Sequence, residues 1–199
     1  MSETLIIDTG AAIGTPTQQV RVEPLPLYDE NHPMMKQRIP EYDITLLPNP
    51  VMTNTINRLK MTMKLYNGLG LSANQCGVFE RVFIVGNGEI VIVCINPKLI
   101  KASDDLIKDN EGCLSFPGLF LKVERASSVE VEYYDYQGKK YNTTFTGLTA
   151  RCFLHELDHM NGITMDKHVK PLALKMAKDK QGKLFKRVKR LQRNNGIFV

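Results

Sequence analysis

The chain has 199 residues, a formal net charge of +5 and a hydrophobic fraction of 43%. These values are ordinary for a globular protein, exclude general disorder and favour a single domain over residues 1–199. No apolar run approaches the roughly 18 residues that a membrane span needs. Glu3 and Asp8 precede the first basic residue, Arg21. This argues against a targeting segment, so we expect a cytoplasmic protein without a membrane partner.

The charge is unevenly distributed along the chain. Residues 166–199 hold 11 Lys and Arg against two acidic residues, whereas the remainder is net acidic. A basic tail on a mildly acidic body indicates an anionic partner for the tail alone. The four cysteines are widely spaced and include no C-x-x-C pair. That spacing favours catalytic or metal-binding cysteines over a disulfide framework.

The N-terminal third combines an irregular segment with one helix. Residues 1–48 are dense in proline and polar side chains, which predicts an irregular N-terminal arm. A helix is predicted to begin after Asn49, with Asn49 as its N-cap and Pro50 at its first position. Gly68 is the natural end of this helix.

The rest of the chain alternates hairpins with helices. Two antiparallel hairpins are predicted, with strands at residues 81–85 and 89–96, and at 128–136 and 140–146. A second helix is predicted over 148–160, and a basic helical tail over about 172–199. Hairpins between helices indicate an α+β fold, with antiparallel β-sheets around the second helix and a basic C-terminal helix.

The most informative segment is His155-Glu156-Leu157-Asp158-His159, within the second predicted helix. Residues four apart share a helical face, so two imidazoles can bind one ion while Glu156 handles protons for a water molecule. The alternative is a chance H-E-x-x-H on a surface helix. A catalytic site also needs a third ligand.

The third ligand does not follow the two common peptidase patterns. Met165 occupies the position of the metzincin histidine, and no glutamate follows Glu156. His168 is expected to be an ordinary surface histidine. Cys152 lies one helical turn before His155 and could approach the site, although a free cysteine is more often a small core residue.

Three motifs now stand in order: GLGLSANQ at residues 68–75, EGCLS at 111–115 and HELDH at 155–159. Together they resemble the motifs of the peptide deformylase family, over about residues 50–170. The resemblance implies metal ligation by Cys113, His155 and His159. It also implies Glu156 as the catalytic acid and base, with Gln75 and the backbone N–H of Leu114 as oxyanion donors.

The resemblance also implies a function. A metal-dependent hydrolase would remove the N-formyl group from the formyl-methionine of newly synthesised polypeptides and release formate. A thiolate with two imidazoles allows Fe²⁺, Zn²⁺, Ni²⁺ or Co²⁺, and the resemblance implies one Fe²⁺ per chain. Candidate substrate-binding residues are Gly68, Leu69, Gly70, Gly112, Leu148 and Cys152, with Phe153 as a further candidate for the methionine pocket.

Alternatives stay open for several of these residues. Gln75 could cap a turn after two glycines that merely end a helix. Ser72 stands where the resemblance implies alanine, and we expect this change to matter little. Phe120 stands where an arginine would reach the substrate backbone, and Glu124 replaces a frequent proline.

One ion pair is predicted beside the motif. Asp158 lies off the face formed by the two histidines, and the resemblance suggests Arg125 as its partner. The alternative is two unrelated surface charges.

The basic C-terminal tail is predicted to bind an anionic partner. Residues of about 183–193 are predicted to pack an apolar stripe on the body and present basic side chains to ribosomal RNA, in weak, salt-sensitive contact. The alternative is a solvated charged helix.

No DNA partner is expected. A metallopeptidase and a non-enzymatic protein with a degenerate metal site remain as other functions.

Overall fold

A computed structural model of the chain describes residues 22–86 and 90–194, with side chains up to residue 192. Predictions for residues 1–21, for residues 87–89 and for the last five residues of the tail, 195–199, lie outside this range. The α+β class is confirmed. The helices are α1 (Pro50–Leu65), α2 (Gly147–Met160) and α3 (Pro171–Asn194). The strands are β1 (Gly70–Ser72), β2 (Val82–Gly86), β3 (Val91–Ala102), β4 (Leu106–Gly112), β5 (Phe120–Ala126), β6 (Ser128–Tyr134) and β7 (Lys140–Thr146).

Two antiparallel sheets organise these strands. Five strands form one sheet in the order β1-β2-β3-β6-β7, and β4 pairs with β5 in a separate two-stranded sheet. Both predicted hairpins, β2 with β3 and β6 with β7, are therefore confirmed. None of the helices in the described part of the chain combines the length and hydrophobicity of a membrane span.

The five-stranded sheet lies between α1 and α2. Side chains alternate across a strand, so Val82 and Ile84 of β2 share a core cluster with α1, whereas Phe83 and Val85 pack with α2. The Phe83 and Phe153 rings meet edge to face, with centroids 5.2 Å apart. Because both faces of β2 are covered, its sequence is a continuous apolar run, and α2 is held rigidly in the core.

Helix α1 begins as predicted but ends earlier. The Asn49 side chain accepts a hydrogen bond from the Met52 N–H at 2.7 Å, which confirms the N-cap. The helix ends at Leu65, and Asn67 rather than Gly68 adopts the left-handed conformation, with φ of 53°. Gly68 instead allows the Leu114 side chain to pack closely against it, because a Cβ at this position would lie 2.8 Å from that side chain.

Three strands were not predicted. β1 has only three residues, too few for a periodic signal. In β5, Leu121, Val123 and Arg125 are buried in alternation, but the buried arginine masks the apolar period. β4 is mostly exposed and polar because it pairs on one side only. β3 continues past its predicted end through a bulge between Ile95 and Lys98.

The described part of the arm is irregular, as predicted, but it is anchored to the body. Thr62 of α1 donates its hydroxyl to the Leu25 carbonyl at 2.9 Å. The Tyr28 N–H donates to the Gln75 carbonyl at 2.9 Å, and the Ile39 N–H donates to the Met160 carbonyl. The arm therefore supports α1, the end of α2 and the turn that contains Gln75.

Helix α3 carries the basic tail, as predicted, and contacts the body through its first half. Leu174 and Ala177 pack against the small core around β5, and Gln181 donates to the Pro117 carbonyl at 2.7 Å. Beyond Gln181, the apolar stripe of α3 is only half buried, so its predicted packing on the body is confirmed only in part. Its side chains remain between 42% and 51% exposed: Leu184, Phe185, Val188 and Leu191.

Candidate active site

Three segments distant in sequence converge at one end of α2. The helix contributes His155, Glu156 and His159, whose side chains are all buried. The chain that leaves β4 contributes Cys113, and the short 3-10 turn after β1 contributes Gln75. Gln75 Nε2 lies 3.4 Å from Cys113 Sγ, so the three motifs meet in space.

A metal ion fits the Cys113, His155 and His159 side chains. One donor atom from each lies within 4.8 Å of the others, and Cys113 Sγ is 3.3 Å from His159 Nε2. Tetrahedral bonds of ~2.0–2.3 Å require donors about 3.5 Å apart. A thiolate and two imidazoles suit a divalent transition metal. In the described residues this is the group found with three such donors, and Cys152 is not part of it.

The two imidazoles have opposite electrostatic surroundings. Burial and the charge of His155 keep the pKa of His159 well below its ordinary value, so this ring is neutral. Burial would lower the pKa of His155, but hydrogen bonds with Cys113 and Glu111 outweigh it and raise that pKa. A ligand imidazole must be neutral, and metal ligation would favour that form of His155.

Glu111 orients His155 and was not singled out as a site residue from the sequence. Its Oε2 lies 3.1 Å from His155 Nδ1, which leaves Nε2 of that ring facing Cys113. Arg125 and Arg151 donate to the same carboxylate at 2.8–3.0 Å. Burial would raise the pKa of Glu111, but hydrogen bonds from His155 and Arg125 hold it well below its usual range. Such outer contacts fix the orientation of a metal-ligating histidine.

The predicted pairing of Asp158 with Arg125 is confirmed. Arg125 Nη1 lies 2.6 Å from Asp158 Oδ2, with side-chain exposures of 6% and 17%. His168 is exposed, as expected for a surface histidine, but its Nε2 lies 2.7 Å from the same carboxylate oxygen. His168 and Asp158 are 10 positions apart and lie on different elements, so no local periodicity could have predicted this contact.

Glu156 is placed to exchange protons. Burial raises the pKa of Glu156 to about 7, against the charge of His155 and a hydrogen bond with Ser72. Its Oε2 is buried without a hydrogen-bond partner among the described residues. A Cβ at Gly70 would lie 2.5 Å from Oε1 of Glu156, so only glycine fits there. A carboxyl group that titrates near neutral pH suits general acid–base catalysis.

Gln75 both caps a turn and faces the site, so its two sequence-based interpretations are compatible. Its Oε1 accepts hydrogen bonds from the Ser72 N–H at 3.0 Å and the Ser72 hydroxyl at 2.9 Å. Its Nε2 donates to Ser115 Oγ at 3.1 Å and points towards Cys113. The amide N–H groups are therefore directed at Ser115 and at one candidate metal ligand, Cys113.

A cavity of about 470 Å³ opens onto these groups. All six of the predicted substrate-binding residues line it: Gly68, Leu69, Gly70, Gly112, Leu148 and Cys152. Phe153 does not line it and instead packs in the core between Phe83 and Phe145, because it lies on the sheet-facing side of α2. Further lining residues that the sequence analysis did not assign to substrate include Tyr66, Pro117, Phe120 and Arg151.

These features define a class of protein. The site combines a Cys-His-His donor set, an adjacent carboxyl group with a near-neutral pKa and an amide donor beside a cavity. These are the parts of a metal-dependent hydrolase.

Comparisons with known proteins agree with this class. The sequence profile of the polypeptide deformylase family matches residues 24–175. A peptide deformylase from Thermotoga maritima is 31% identical over 179 residues, covering 89% of this chain and 96% of that protein. The crystal structure of a Synechococcus elongatus peptide deformylase in complex with actinonin matches with a TM-score of 0.75 and 34% identity, over 80% of this chain and 88% of that one.

A second solved structure is that of a peptide deformylase from Acinetobacter baumannii bound to Met-Ala-Ser. It has a TM-score of 0.71 and 29% identity, and the match covers 74% of this chain and 99% of that one. The chain belongs to the polypeptide deformylase family, a family of enzymes that remove the N-formyl group from nascent peptides. Two other functions were open from the sequence, a metallopeptidase and a non-enzymatic metal-binding protein. Membership of the deformylase family explains the H-E-x-x-H motif in place of both.

The buried ion pairs predict a large effect on stability. Replacing Arg125 with methionine leaves Glu111 and Asp158 with one cation fewer in a buried site. We expect the free energy of unfolding to fall by about 3–5 kcal/mol, measured by urea denaturation of the metal-loaded protein. The matched control is Lys98→Met, which breaks the exposed Lys98–Glu41 pair and should cost less than about 1 kcal/mol. Equal losses in the two variants would contradict this assignment.

Proposed function

We propose that this chain deformylates the formyl-methionyl N-termini of newly synthesised polypeptides in the cytoplasm, as a single domain over residues 1–199. The observation that carries the proposal is the meeting of Gln75, Glu156 and the Cys113 cluster at one cavity. The Acinetobacter baumannii relative has been solved with Met-Ala-Ser, a tripeptide that begins with methionine. This supports a methionyl N-terminus as the group that enters the cavity.

The metal would be held by Cys113, His155 and His159. The donor set accommodates Fe²⁺, Zn²⁺, Ni²⁺ or Co²⁺, and we propose Fe²⁺ as the ion used in the cell. When bound, the ion supplies Lewis acidity, which activates a water molecule and polarises the formyl carbonyl. Glu111 keeps His155 in the orientation that this ligation requires, through the contact with Nδ1.

Glu156 would move the protons of the reaction. Its unpartnered Oε2 takes a proton from the attacking water, and the near-neutral pKa of the carboxyl group lets it return that proton. The proton goes to the nitrogen of the leaving amine as the formyl C–N bond breaks. The products are formate and a free N-terminal amine, so atoms and charge balance without another reactant.

Two uncharged donors would stabilise the oxyanion that forms on the formyl oxygen when water attacks the formyl carbon. Gln75 offers Nε2, which already points towards Cys113, and Leu114 offers its backbone N–H one residue after that ligand. Neither donor titrates, so their hydrogen bonds persist across the working pH range. Preorganised donors of this kind stabilise charge that develops in the transition state.

The substrate methionine would occupy the apolar part of the cavity. Leu69, Leu148 and Cys152 line both this cavity and an adjoining one of about 310 Å³. An unbranched thioether side chain adapts to such an irregular apolar space. Gly68, Gly70 and Gly112 carry no side chains on the cavity wall, which lets a peptide backbone approach closely.

The role of Glu156 is tested by Glu156→Gln, which keeps the shape of the side chain but cannot accept the proton. We expect kcat for formyl-Met-Ala-Ser to fall by at least about 100-fold, while the metal content stays at one ion per chain. Formate release and metal analysis give the two measurements. A variant that retains a tenth or more of the kcat would show that Glu156 is not the proton carrier.

The third ligand is tested separately by Cys113→Ser and Cys113→Asp. A serine hydroxyl is a poor ligand at neutral pH, so we expect the serine variant to lose most of its bound zinc on dialysis. The aspartate variant should bind metal but favour harder ions over zinc. The matched control is Cys152→Ser, a cavity cysteine outside the donor cluster, which should keep its zinc. Full zinc retention by Cys113→Ser would exclude Cys113 as a ligand.

We further propose that α3 docks on ribosomal RNA near the point where nascent chains emerge. Lys183, Lys186, Arg187, Lys189 and Arg190 are exposed, and Asp179 is the single acidic side chain on this helix. One-signed charge on a projecting helix favours a polyanionic partner over simple solvation. The half-exposed apolar stripe leaves room for additional contact.

The docking proposal is tested by charge removal rather than truncation, because Gln181 and Phe185 contact the loop at Pro117 and Gly118. Gln is substituted at four exposed positions of α3: Lys186, Arg187, Lys189 and Arg190. Co-sedimentation with ribosomes should weaken, and its dependence on log salt should become shallower by up to about three units. The matched control carries four Gln substitutions on the body: Lys101, Lys108, Lys122 and Lys139. Equal weakening in this control would reject α3 as the docking element.

A further inference from the structure

Ser72 occupies a position between two groups that carry the proposed chemistry. It is the last residue of β1, is completely buried, and precedes the 3-10 turn Ala73–Cys76. Its hydroxyl donates a hydrogen bond to Gln75 Oε1 at 2.9 Å, and the Glu156 carboxyl group lies nearby. We propose that Ser72 is a positioning residue that orients and polarises the Gln75 carboxamide for oxyanion stabilisation. This inference rests on the proposed function.

The orientation of the carboxamide follows from the donors around it. Gln75 Oε1 accepts from both the N–H and the hydroxyl of Ser72, while Nε2 faces Ser115 Oγ and Cys113 Sγ. A rotated amide would direct its NH₂ group at the Ser72 N–H and its oxygen at the metal ligands. Two hydrogen bonds to Oε1 oppose this rotation more strongly than one. The Ser72 hydroxyl therefore keeps the donor side of Gln75 aimed at the reacting group.

The same contact strengthens Gln75 as a donor. When an amide oxygen accepts hydrogen bonds, electron density shifts away from the amide nitrogen and its N–H groups become better donors. Hydrogen bonds in a chain polarise one another in this way, and the effect is larger in a buried site of low dielectric constant. Ser72, Gln75 and the oxyanion would form such a chain, and both Ser72 and Gln75 are buried in the protein.

A purely structural role for the hydroxyl is less consistent with its surroundings. The turn that contains Gln75 is also held by backbone hydrogen bonds: Tyr28 N–H to Gln75 carbonyl at 2.9 Å, and Val78 N–H to Ala73 carbonyl at 3.0 Å. These bonds do not involve the Ser72 side chain. The hydroxyl instead donates to Gln75, a side chain on which the proposed reaction depends.

The test compares Ser72→Ala, Gln75→Ala and the double variant with the unchanged protein, all zinc-loaded and assayed with formyl-Met-Ala-Ser. We expect Ser72→Ala to lower kcat about three- to tenfold, the effect of one lost hydrogen bond, with KM within twofold and zinc content unchanged. In the Gln75→Ala background the same change should have no further effect on kcat, because Ser72 acts through Gln75. Multiplicative losses in the double variant would overturn the proposal.

Two further variants separate catalysis from stability. Thr62→Val removes another fully buried hydroxyl that donates to a carbonyl, so it should lower the melting temperature and leave kcat unchanged. Ser72→Cys keeps a similar shape with a weaker donor, and its kcat should lie between those of serine and alanine. A Ser72→Cys or Ser72→Ala variant with wild-type kcat would reject the role. Absence of formate release by the unchanged protein would instead overturn the proposed function, and this inference with it.

Discussion

The site depends on one buried anion, the Glu111 carboxylate. It lies at the end of β4 and contacts Arg125 on β5 and both Arg151 and His155 on α2. A buried charge is tolerated only when it is fully compensated, so these elements must stay in register. The two-stranded sheet is thereby fixed to the helix that carries the metal ligands. Arg151 adds hydrogen bonds to the carbonyls of Ile107 and Val123, one on each strand of that sheet.

The same network extends away from the cavity to the C-terminal part of the chain. Arg125 reaches Asp158, and Asp158 contacts His168, which lies just before α3. α3 in turn contacts Pro117 and Gly118, two residues on the cavity wall. The orientation of a metal ligand is thus supported by groups that lie far from the reacting atoms. This is why charge removal on α3 is a cleaner experiment than its deletion.

The parts of the fold that were predicted correctly are those with local causes. Asn49 and Pro50 mark a helix start through contacts within three residues, and the i, i+4 spacing of His155 and His159 places both rings on one face. The parts that were missed have distant causes. β4 and β5 contain buried or paired charges, and a charged residue in a sequence resembles an exposed one until its partner is known.

The sequence by itself determined the chemistry available: the two helical imidazoles, the carboxyl group between them, the motif order that resembles a deformylase, and the basic tail. Only the tertiary structure decided which groups meet. Cys113 and His159 are 46 residues apart in the sequence, yet Cys113 Sγ lies 3.3 Å from His159 Nε2. Packing of the sheets against α2 brings these two residues together. The hydrogen bond from Ser72 to Gln75 likewise appears only in the folded chain. Residue types and periodicities act over a few positions, whereas burial, hydrogen-bond partners and pKa values arise only when distant segments pack together.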